Sequence, residues 1–291
     1  MADKDPQKTV LVIGCSDSAV TGAVSEVLAS WKMDCARSTE EALALVEKSA
    51  FDLVITDQTR SGREGVELLR KVRLARPHTR VIIAADRRTP ADVIDAIRAR
   101  AFSYFSMPLS TLALEEVLQL AIESPAWEDA MEILSGTDSW LRLSVRCDVS
   151  TANRLHQFVR EFLDLPEDEE DKVATACREM MLNAMEHGGK FDPERRIEIG
   201  YIRARRVVLI RIKDPGQGFS LKENLDTAAN NPPGDPTRHM KHREAQGMRP
   251  GGYGILLAKN LVDELFYVEK GNEVLLIKYI NDAREASAPP A

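Results

Sequence analysis

The sequence predicts two α/β domains in tandem, and three observations support this fold class. The chain has 291 residues, a length that suggests about two domains. Hydrophobic residues make up 44% of the chain, which is enough for well-packed cores. Short apolar runs alternate with segments of helical periodicity in the first half, whereas the second half arranges strands and helices in a different order. We therefore expect a doubly wound domain followed by a second α/β domain of another topology.

The first half consists of five strand–helix units, which implies a five-stranded parallel sheet with helices on both faces, as in flavodoxin-like folds. The predicted strands lie at residues 10–13, 33–36, 53–56, 81–84 and 103–105. The predicted helices lie at residues 18–31, 39–48, 64–75, 90–100 and 111–122. We place this domain at residues 1–124.

A motif at the end of the third strand gives this domain a family resemblance. The residues Phe-Asp-Leu-Val-Ile-Thr-Asp, which end at Asp57, are followed by Gly62 and Gly65. Together with Ser-Tyr-Phe-Ser-Met-Pro at residues 103–108, they are similar to a response-regulator receiver domain. The resemblance implies that Asp57 stands at the phosphoacceptor position and Tyr104 at the position of the switch aromatic.

Four residues depart from the receiver pattern. Gly14 and Cys15 stand where receivers carry the acidic pair that binds Mg²⁺. Ala84 stands at the usual Thr or Ser, and Met107 at the usual Lys. Phosphoryl transfer to a carboxylate depends on positioning and charge neutralisation. We therefore interpret the domain as a pseudo-receiver that acts by protein contact, through the face of the switch aromatic and the last helix, with phosphorylation of Asp57 as the alternative.

The joint between the two halves has apolar residues at helical spacing. This pattern extends from Ala113 to Leu134 and is interrupted by Pro125. We expect the last helix of the first domain to continue, to kink at the proline and to lead into the second half as a linker at residues 125–137. The apolar side of the joint would either pack on the chain's own domains or support a homodimer.

The most informative stretch of the second half is residues 179–188, Glu-Met-Met-Leu-Asn-Ala-Met-Glu-His-Gly. Glu179, Asn183 and His187 are four residues apart, so on a helix they share one face. Buried polar groups need partners, so this column is either a ligand site or a solvated stripe. Apolar residues at helical spacing indicate that the stretch ends a helix: Val173, Cys177, Met180, Met181 and Ala184.

Two glycine-containing motifs follow this helix. Asp-Pro-Gly-Gln-Gly at residues 214–218 comes after an apolar strand, and Gly-Gly-Tyr-Gly at residues 251–254 opens an apolar helix. Glycines at such positions let a ligand approach the backbone, and a helix N-terminus favours phosphate. With Glu-x-x-x-Asn-Ala-x-x-His-Gly before them, these motifs resemble the Bergerat ATP-binding fold of gyrases, Hsp chaperones and sensor histidine kinases. The helix motif is most similar to that of the anti-sigma-factor serine kinases, over residues 138–281.

The resemblance implies ATP as the ligand and gives the glycine motifs their roles. Asp214 would receive the adenine amino group, while Gly216 and Gly218 would let the backbone close around the base. Gly252 and Gly254, with the helix N-terminus that follows them, would hold the phosphates. The resemblance thus implies that these residues of the two glycine motifs bind ATP.

The same resemblance implies roles for Glu179, Asn183 and His187, the polar residues that share one face of the helix. Asn183 would carry Mg²⁺, and His187 would lie among the ATP-binding residues. Glu179 would act as the general base toward an attacking hydroxyl. Glu273 departs from the family pattern, because relatives often carry Thr at this position near the adenine.

The fold that this resemblance implies is an α/β sandwich with a mixed sheet at residues 138–282. Alternation predicts a strand at residues 141–147 and a hairpin around residues 203–206, and Ser150 is a plausible N-cap for the helix after the first strand. The long polar segment at residues 219–250 would be the lid over ATP.

The composition limits the kinds of binding partner and the cellular compartment that we expect for this protein. The net charge is -7 with both signs interspersed, so a large nucleic-acid footprint is not expected. The chain starts with polar residues, the end at 283–291 reads as a flexible tail, and no apolar run approaches the ~20 residues of a membrane helix. We expect a cytoplasmic protein with reduced cysteines at positions 15, 35, 147 and 177.

Three functions remain open at this stage. The first is a serine/threonine protein kinase of the anti-sigma-factor type, governed by the pseudo-receiver, with an anti-anti-sigma-like substrate and a sigma factor as a further partner. The second is an ATP-dependent switch that binds a partner without phosphorylating it. The third is a response regulator that is phosphorylated on Asp57 and has an ATP-binding output. The joint contains no histidine, which separates the chain from histidine kinases with an acceptor on a dimerisation helix.

Overall fold

The fold is described from a computed structural model, for residues 7–14, 19–56, 61–123, 127–218, 254–268 and 270–280. The chain forms two compact units. The first comprises Met1–Glu132 together with Asn153–Asp164, and the second comprises Ile133–Ala152 together with Leu165–Ala291. A short segment from the second half of the sequence is therefore part of the first unit.

The first unit contains the five-stranded parallel sheet that the strand–helix alternation predicts. Its strands are β1 (Thr9–Ile13), β2 (Lys32–Ala36), β3 (Leu53–Thr56), β4 (Arg80–Ala85) and β5 (Ser103–Ser106). Its first helices are α1 (Ala19–Val27), α2 (Thr39–Lys48), α3 (Gly62–Ala75), α4 (Pro90–Arg98) and α5 (Thr111–Glu123). The strand order β2-β1-β3-β4-β5 is that of flavodoxin-like folds, and it leaves β5 at an edge.

Local sequence signals explain where these elements lie. All four residues of β3 are buried, because helices cover both faces of a parallel sheet. Ser38, Ser61 and Thr89 cap α2, α3 and α4, since each side chain accepts a hydrogen bond from a backbone N–H of the first helical turn. α5 spans Thr111–Glu123.

The second unit is built on a six-stranded sheet with the order β10-β11-β9-β8-β7-β6. The strands are β6 (Met131–Thr137), β7 (Trp140–Arg146), β8 (Arg196–Ala204), β9 (Val207–Lys213), β10 (Glu264–Tyr267) and β11 (Glu273–Tyr279). The pairs β7–β8, β8–β9, β9–β11 and β11–β10 are antiparallel. The prediction of an α/β fold with one doubly wound and one sandwich-like part is confirmed.

Two of the three helices in this half of the chain pack against one another beside the second sheet. The helices of this half of the chain are α6 (Val149–Phe162), α7 (Glu167–Asn183), which continues into a π-helical turn at Ala184–Gly188, and α8 (Gly254–Leu261). α7 packs against α8 and against β9 and β11. Alternate residues of β8 and β9 are buried and the others are more exposed, as expected for a sheet that is covered on one side.

The joint differs from its prediction. The described helix α5 spans Thr111–Glu123, and Met131–Thr137, predicted as helix and linker, is strand β6. The spacing of the apolar residues fits a helix, but over so few residues it does not exclude a strand. Pairing with β7 across a short turn decides the conformation, because it satisfies the backbone groups of β6.

Two smaller expectations also need correction. The cap of α6 is Asp148 and not Ser150, because the Asp148 carboxylate accepts a hydrogen bond of 2.7 Å from the backbone N–H of Thr151. Cys147 and Cys177 are free and buried as expected, but Cys35 is disulfide-bonded, so the prediction of reduced cysteines is wrong for that residue. Among the described residues, no helix is long and apolar enough to span a membrane.

Candidate functional site

The carboxyl end of α7 carries the first half of the candidate site. One side of α7 is buried, whereas Glu179 and Asn183 lie at the border between core and solvent. Glu179 is 16% exposed in its side chain, and its Oε1 atom lies 3.3 Å from Nη1 of Arg178. An acidic side chain and an amide are thus held half-buried on one face of a helix, close enough to solvent for a ligand to reach them.

The N-terminus of α8 lies directly against these two side chains. A Cβ atom placed on Gly254 would be 3.0 Å from Oε2 of Glu179 and 3.5 Å from Nδ2 of Asn183. Gly254 is the first residue of α8, so the helix presents unsatisfied backbone N–H groups at this point. A carboxylate, an amide and a helix N-terminus therefore meet at one place, and a side chain at residue 254 would fill the space between them.

Asp214 forms the second part of the site, directly after β9. Its backbone N–H donates to the carbonyl of Asn272 (3.0 Å), and its Oδ1 atom accepts a hydrogen bond from the backbone N–H of Gly216 (2.7 Å). Burial raises the pKa of the Asp214 carboxyl, while the bond from Gly216 and the charge of Lys190 oppose this shift. The carboxylate is thus fixed in a partly desolvated position, where it can accept a further hydrogen bond from a ligand.

The π-helical turn after α7 positions this carboxylate. A Cβ atom placed on Gly188 would be 1.9 Å from Oδ1 of Asp214, so only glycine leaves room for the carboxylate. A Cβ atom on Gly216 would likewise be 2.8 Å from the Cα atom of Gly188. Sequence analysis quoted Gly188 as the end of the helix motif without giving it a role, and its closeness to Asp214 is decided by tertiary packing.

The loop after Asp214 is tied to the turn before β11. Gly218 has φ +87°, and a Cβ atom there would be 1.5 Å from the carbonyl oxygen of Lys270. Asn272 donates from Nδ2 to the carbonyl of Gly216 (3.4 Å). The sequence analysis assigned no role to Asn272, and its side-chain amide is the local signal that could have indicated this contact.

His187 and Glu273 lie differently from what the sequence suggests. The π-helical turn closes with an i→i+5 hydrogen bond from Gly189 to Ala184, which breaks the four-residue spacing, and the side chain of His187 is exposed. Glu273 pairs with Arg211 at 2.6 and 2.7 Å on the sheet face opposite to the buried residues of β11. Glu273, which departs from the family pattern, therefore forms an ion pair on the outer face of the sheet.

Several predicted functional residues lie outside the described residues. They are Asp57, Cys15, Gly252, and the lid and tail segments at residues 219–250 and 283–291. Their predicted roles rest on the sequence alone. Among the described residues, no group of three or more His, Cys, Asp and Glu side chains could hold a metal ion.

Two residues that depart from the receiver pattern, Ala84 and Met107, lie among the described residues. Ala84 is 1% exposed, and its backbone N–H and carbonyl are both bonded to the hydroxyl of Thr56 (2.9 and 3.3 Å). Met107, at the usual lysine position, packs against the hydrophobic core of the first unit. Neither residue provides a hydroxyl or a cation for a phosphoryl group at the ends of β4 and β5. This arrangement supports the pseudo-receiver interpretation.

Acetyl phosphate with Mg²⁺ is therefore expected to leave Asp57 unmodified. The reason is that the described residues at positions 84 and 107 supply no group that stabilises the transferring phosphoryl group. Intact-mass spectrometry of wild type and Asp57→Asn after incubation tests this, with an active receiver domain as the positive control. Stoichiometric labelling that disappears in Asp57→Asn would show that the chain is phosphorylated on this residue.

Comparison with known families agrees with this division of the chain. The family model described as a histidine kinase-like ATPase domain matches residues 145–278, and the one described as a response regulator receiver domain matches residues 16–119. The chain therefore combines a receiver domain with a histidine kinase-like ATPase domain. Both parts of the sequence-based recognition, the receiver part and the ATPase part, are confirmed at this level.

Individual relatives cover the two parts separately. The chain is 27% identical over 154 residues to the Anti-sigma F factor of Geobacillus sp. (strain WCH70), a match that covers 52% of this chain and 90% of that protein. It is 29% identical over 87 residues to the transcriptional regulatory protein ZraR of Salmonella typhimurium, a match that covers 30% of this chain. That second match spans only 20% of the length of ZraR.

Solved structures of response regulators are also similar to this chain. One is a response regulator from Thermotoga maritima, with 26% identity, 40% of this chain and 99% of that chain covered, and a TM-score of 0.35. Another is a CheY-like receiver domain protein from Methanospirillum hungatei JF-1, with 23% identity, 40% and 95% coverage, and a TM-score of 0.34.

Proposed function

We propose that this chain is an ATP-dependent serine/threonine protein kinase of the anti-sigma-factor type, governed by a pseudo-receiver in cytoplasmic bacterial signal transduction. The observation that carries the proposal is the meeting of Glu179, Asn183 and Gly254 at the N-terminus of α8. A helix N-terminus attracts phosphate, and the two side chains beside it provide a base and an oxygen ligand. The 27% sequence identity between this chain and the Anti-sigma F factor of Geobacillus sp. supports the same assignment.

In this proposal, Asp214 binds the adenine end of ATP. Its carboxylate would accept a hydrogen bond from the adenine amino group, and Gly188 and Gly216 leave the space that the carboxylate requires. Asn183 would hold Mg²⁺ by its side-chain oxygen, and the ion supplies neutralisation of phosphate charge. The donor set fits such an ion, because Mg²⁺ prefers oxygen ligands and is usually bound by few protein groups together with substrate phosphates.

Glu179 has the role of general base in this proposal. The hydroxyl oxygen of a serine or threonine of the substrate protein forms a bond to the γ-phosphorus, and the bond from that phosphorus to the leaving ADP oxygen breaks. The hydroxyl proton moves to the Glu179 carboxylate. The half-buried position of Glu179 beside the N-terminus of α8 supports this assignment. The substrate would be an anti-anti-sigma-like domain, with a sigma factor as a further partner.

We first expect the full chain to bind Mg-ATP. Because binding stabilises the folded state, the melting temperature should be higher at millimolar Mg-ATP than without nucleotide. Asp214→Asn should weaken this shift, because the amide that replaces the carboxylate presents a changed hydrogen-bond pattern to the adenine. EDTA should reduce the shift in both proteins. Scanning fluorimetry measures all three effects, and a wild type without any shift would contradict the proposal.

Phosphoryl transfer separates the kinase from the alternative of a non-catalytic, ATP-dependent binding switch. Wild type incubated with radiolabelled ATP and a cognate anti-anti-sigma-like domain should label that domain on a serine or threonine. A partner that binds in an ATP-dependent manner but is never labelled would favour the binding switch. Labelling of Asp57 in the chain itself would favour the response-regulator alternative.

A further inference from the structure

The arginine that precedes Glu179 in α7 contacts the carboxylate to which the proposed function gives the role of base. Nη1 of Arg178 donates a hydrogen bond to Oε1 of Glu179 (3.3 Å). The two side chains are 32% and 16% exposed, so both lie partly within the protein. Neighbouring residues of a helix point in directions about 100° apart and do not normally face each other. The guanidinium therefore leans along the surface of the helix to reach the carboxylate.

The two oxygens of this carboxylate have different surroundings. Oε1 accepts the hydrogen bond from Arg178, whereas Oε2 lies on the side of Gly254, 3.0 Å from the place of a Cβ atom on that residue. Gly254 begins α8, and the unsatisfied N–H groups of a helix N-terminus attract phosphate. The contact with Arg178 thus fixes the rotation of the Glu179 carboxylate with its other oxygen toward the N-terminus of α8.

The turn of α7 that carries this pair is anchored in the core. Cys177 and Met180, the residues on either side of the pair, are both buried. The sulfur of Met180 also accepts a hydrogen bond from the hydroxyl of Tyr267 on β10 (3.5 Å). Because the backbone is held in place here, the direction of the Glu179 carboxylate depends on its own side-chain torsions and on the contact with Arg178.

We propose that Arg178 is a positioning residue for phosphoryl transfer, which holds Oε1 of Glu179 so that Oε2 receives the proton of the attacking hydroxyl. This inference rests on the proposed function. The hydroxyl oxygen bonds to the γ-phosphorus, the bond from phosphorus to the ADP oxygen breaks, and the proton moves to Oε2, while Arg178 keeps its own protons. Partly exposed ion pairs contribute little to folding stability, whereas a base oriented by a third group recurs in catalytic sites.

Arg178→Met should lower the single-turnover rate of transfer to an anti-anti-sigma-like domain about tenfold or more and leave the affinity for Mg-ATP unchanged. A misdirected base affects only the step in which the hydroxyl attacks. Arg178→Lys keeps a cation without the planar guanidinium, so its loss should be smaller. Lys172→Met removes a cation that pairs with Asp168 and Glu169 elsewhere on α7, and it should keep the wild-type rate. A parallel loss of rate and ATP affinity in Arg178→Met would overturn the inference.

A double-mutant cycle separates positioning from an independent contribution to the rate. In the Glu179→Ala background, Arg178→Met should cause no further loss, because the carboxylate that it orients is gone. Additive losses would show that Arg178 acts without Glu179, and they contradict the positioning role. Loss of transfer in Glu179→Ala together with full transfer in Arg178→Met would overturn the positioning role alone and leave the proposed function intact.

A spectroscopic measurement without substrate tests the contact itself. The carboxyl ¹³C chemical shift of Glu179, identified by its absence in Glu179→Ala, responds to the charge and hydrogen bonding around that carboxylate. Nucleotide-free Arg178→Met should show a changed shift at this carbon, whereas Lys172→Met should show the wild-type shift. An unchanged shift in Arg178→Met overturns the inference, even if wild type transfers no phosphate to any partner.

Discussion

Glu179→Ala is expected to bind Mg-ATP about as well as wild type and to lose phosphoryl transfer to the partner domain by ~100-fold or more. A general base contributes only to the step in which the hydroxyl attacks, so its removal lowers the turnover rate and leaves nucleotide affinity nearly intact. The measurement is single-turnover transfer from radiolabelled ATP, with affinity determined separately by scanning fluorimetry. Full transfer activity in Glu179→Ala would mean that the base is another residue.

Two companion variants make this result interpretable. Asn183→Ala should lose both binding and transfer, because metal-assisted phosphate binding depends on its side-chain oxygen. The control must be a carboxylate of α7 outside the site. Glu186, in the π-helical turn after α7, is unsuitable because it is buried at 7% exposure. Glu167 in the exposed first turn is the better choice, and Glu167→Ala should keep both activities.

Gly188→Ala is expected to weaken ATP binding about 100-fold or more while the chain stays folded. The new Cβ atom would lie 1.9 Å from Oδ1 and 2.2 Å from Cγ of Asp214, so the carboxylate must leave its position. Its displacement breaks the hydrogen bond from Gly216 and removes the acceptor for the adenine amino group. A loss of about 100-fold in affinity or more corresponds to roughly 2.8 kcal/mol.

Gly200→Ala is the matched control for this prediction. Gly200 lies in β8 of the same unit, and a Cβ atom there would meet only Cβ of Arg211 at 3.6 Å, which is ordinary contact. Titration with Mg-ATP and circular dichroism of the unliganded proteins separate loss of binding from loss of fold. Wild-type affinity in folded Gly188→Ala would show that Asp214 is not the adenine acceptor.

The order of elements and the motif positions were accessible from the sequence, because both depend on local patterns. Apolar runs of strand length, separated by helical periodicity, gave the five-stranded parallel sheet of the first unit. The spacing of Glu179 and Asn183, and the glycines at strand and helix ends, marked the residues that the structure brings together at Gly254 and Asp214. These signals lie within single turns or single strands.

The site's detailed geometry required tertiary structure. The four-residue spacing predicted that His187 shares a face with Glu179, but the π-helical turn changes that spacing, and helical periodicity in a sequence does not reveal an i→i+5 bond. In the same way, nothing near Gly188 in the sequence shows that Asp214 will pack against it.

The sequence by itself determined the class of each half of this protein, while the tertiary structure decided where the halves begin and end. Helical spacing in the joint was overridden by the pairing of β6 with β7, which gives the backbone groups of both strands hydrogen-bond partners at the edge of the six-stranded sheet. Residues 153–164 precede the motifs of the second half in the sequence, yet Arg154 is held by carbonyls and rings of the first unit. A buried charge needs hydrogen-bond partners, and the partners of Arg154 lie 27 to 53 residues away along the chain, so only the tertiary structure brings them together.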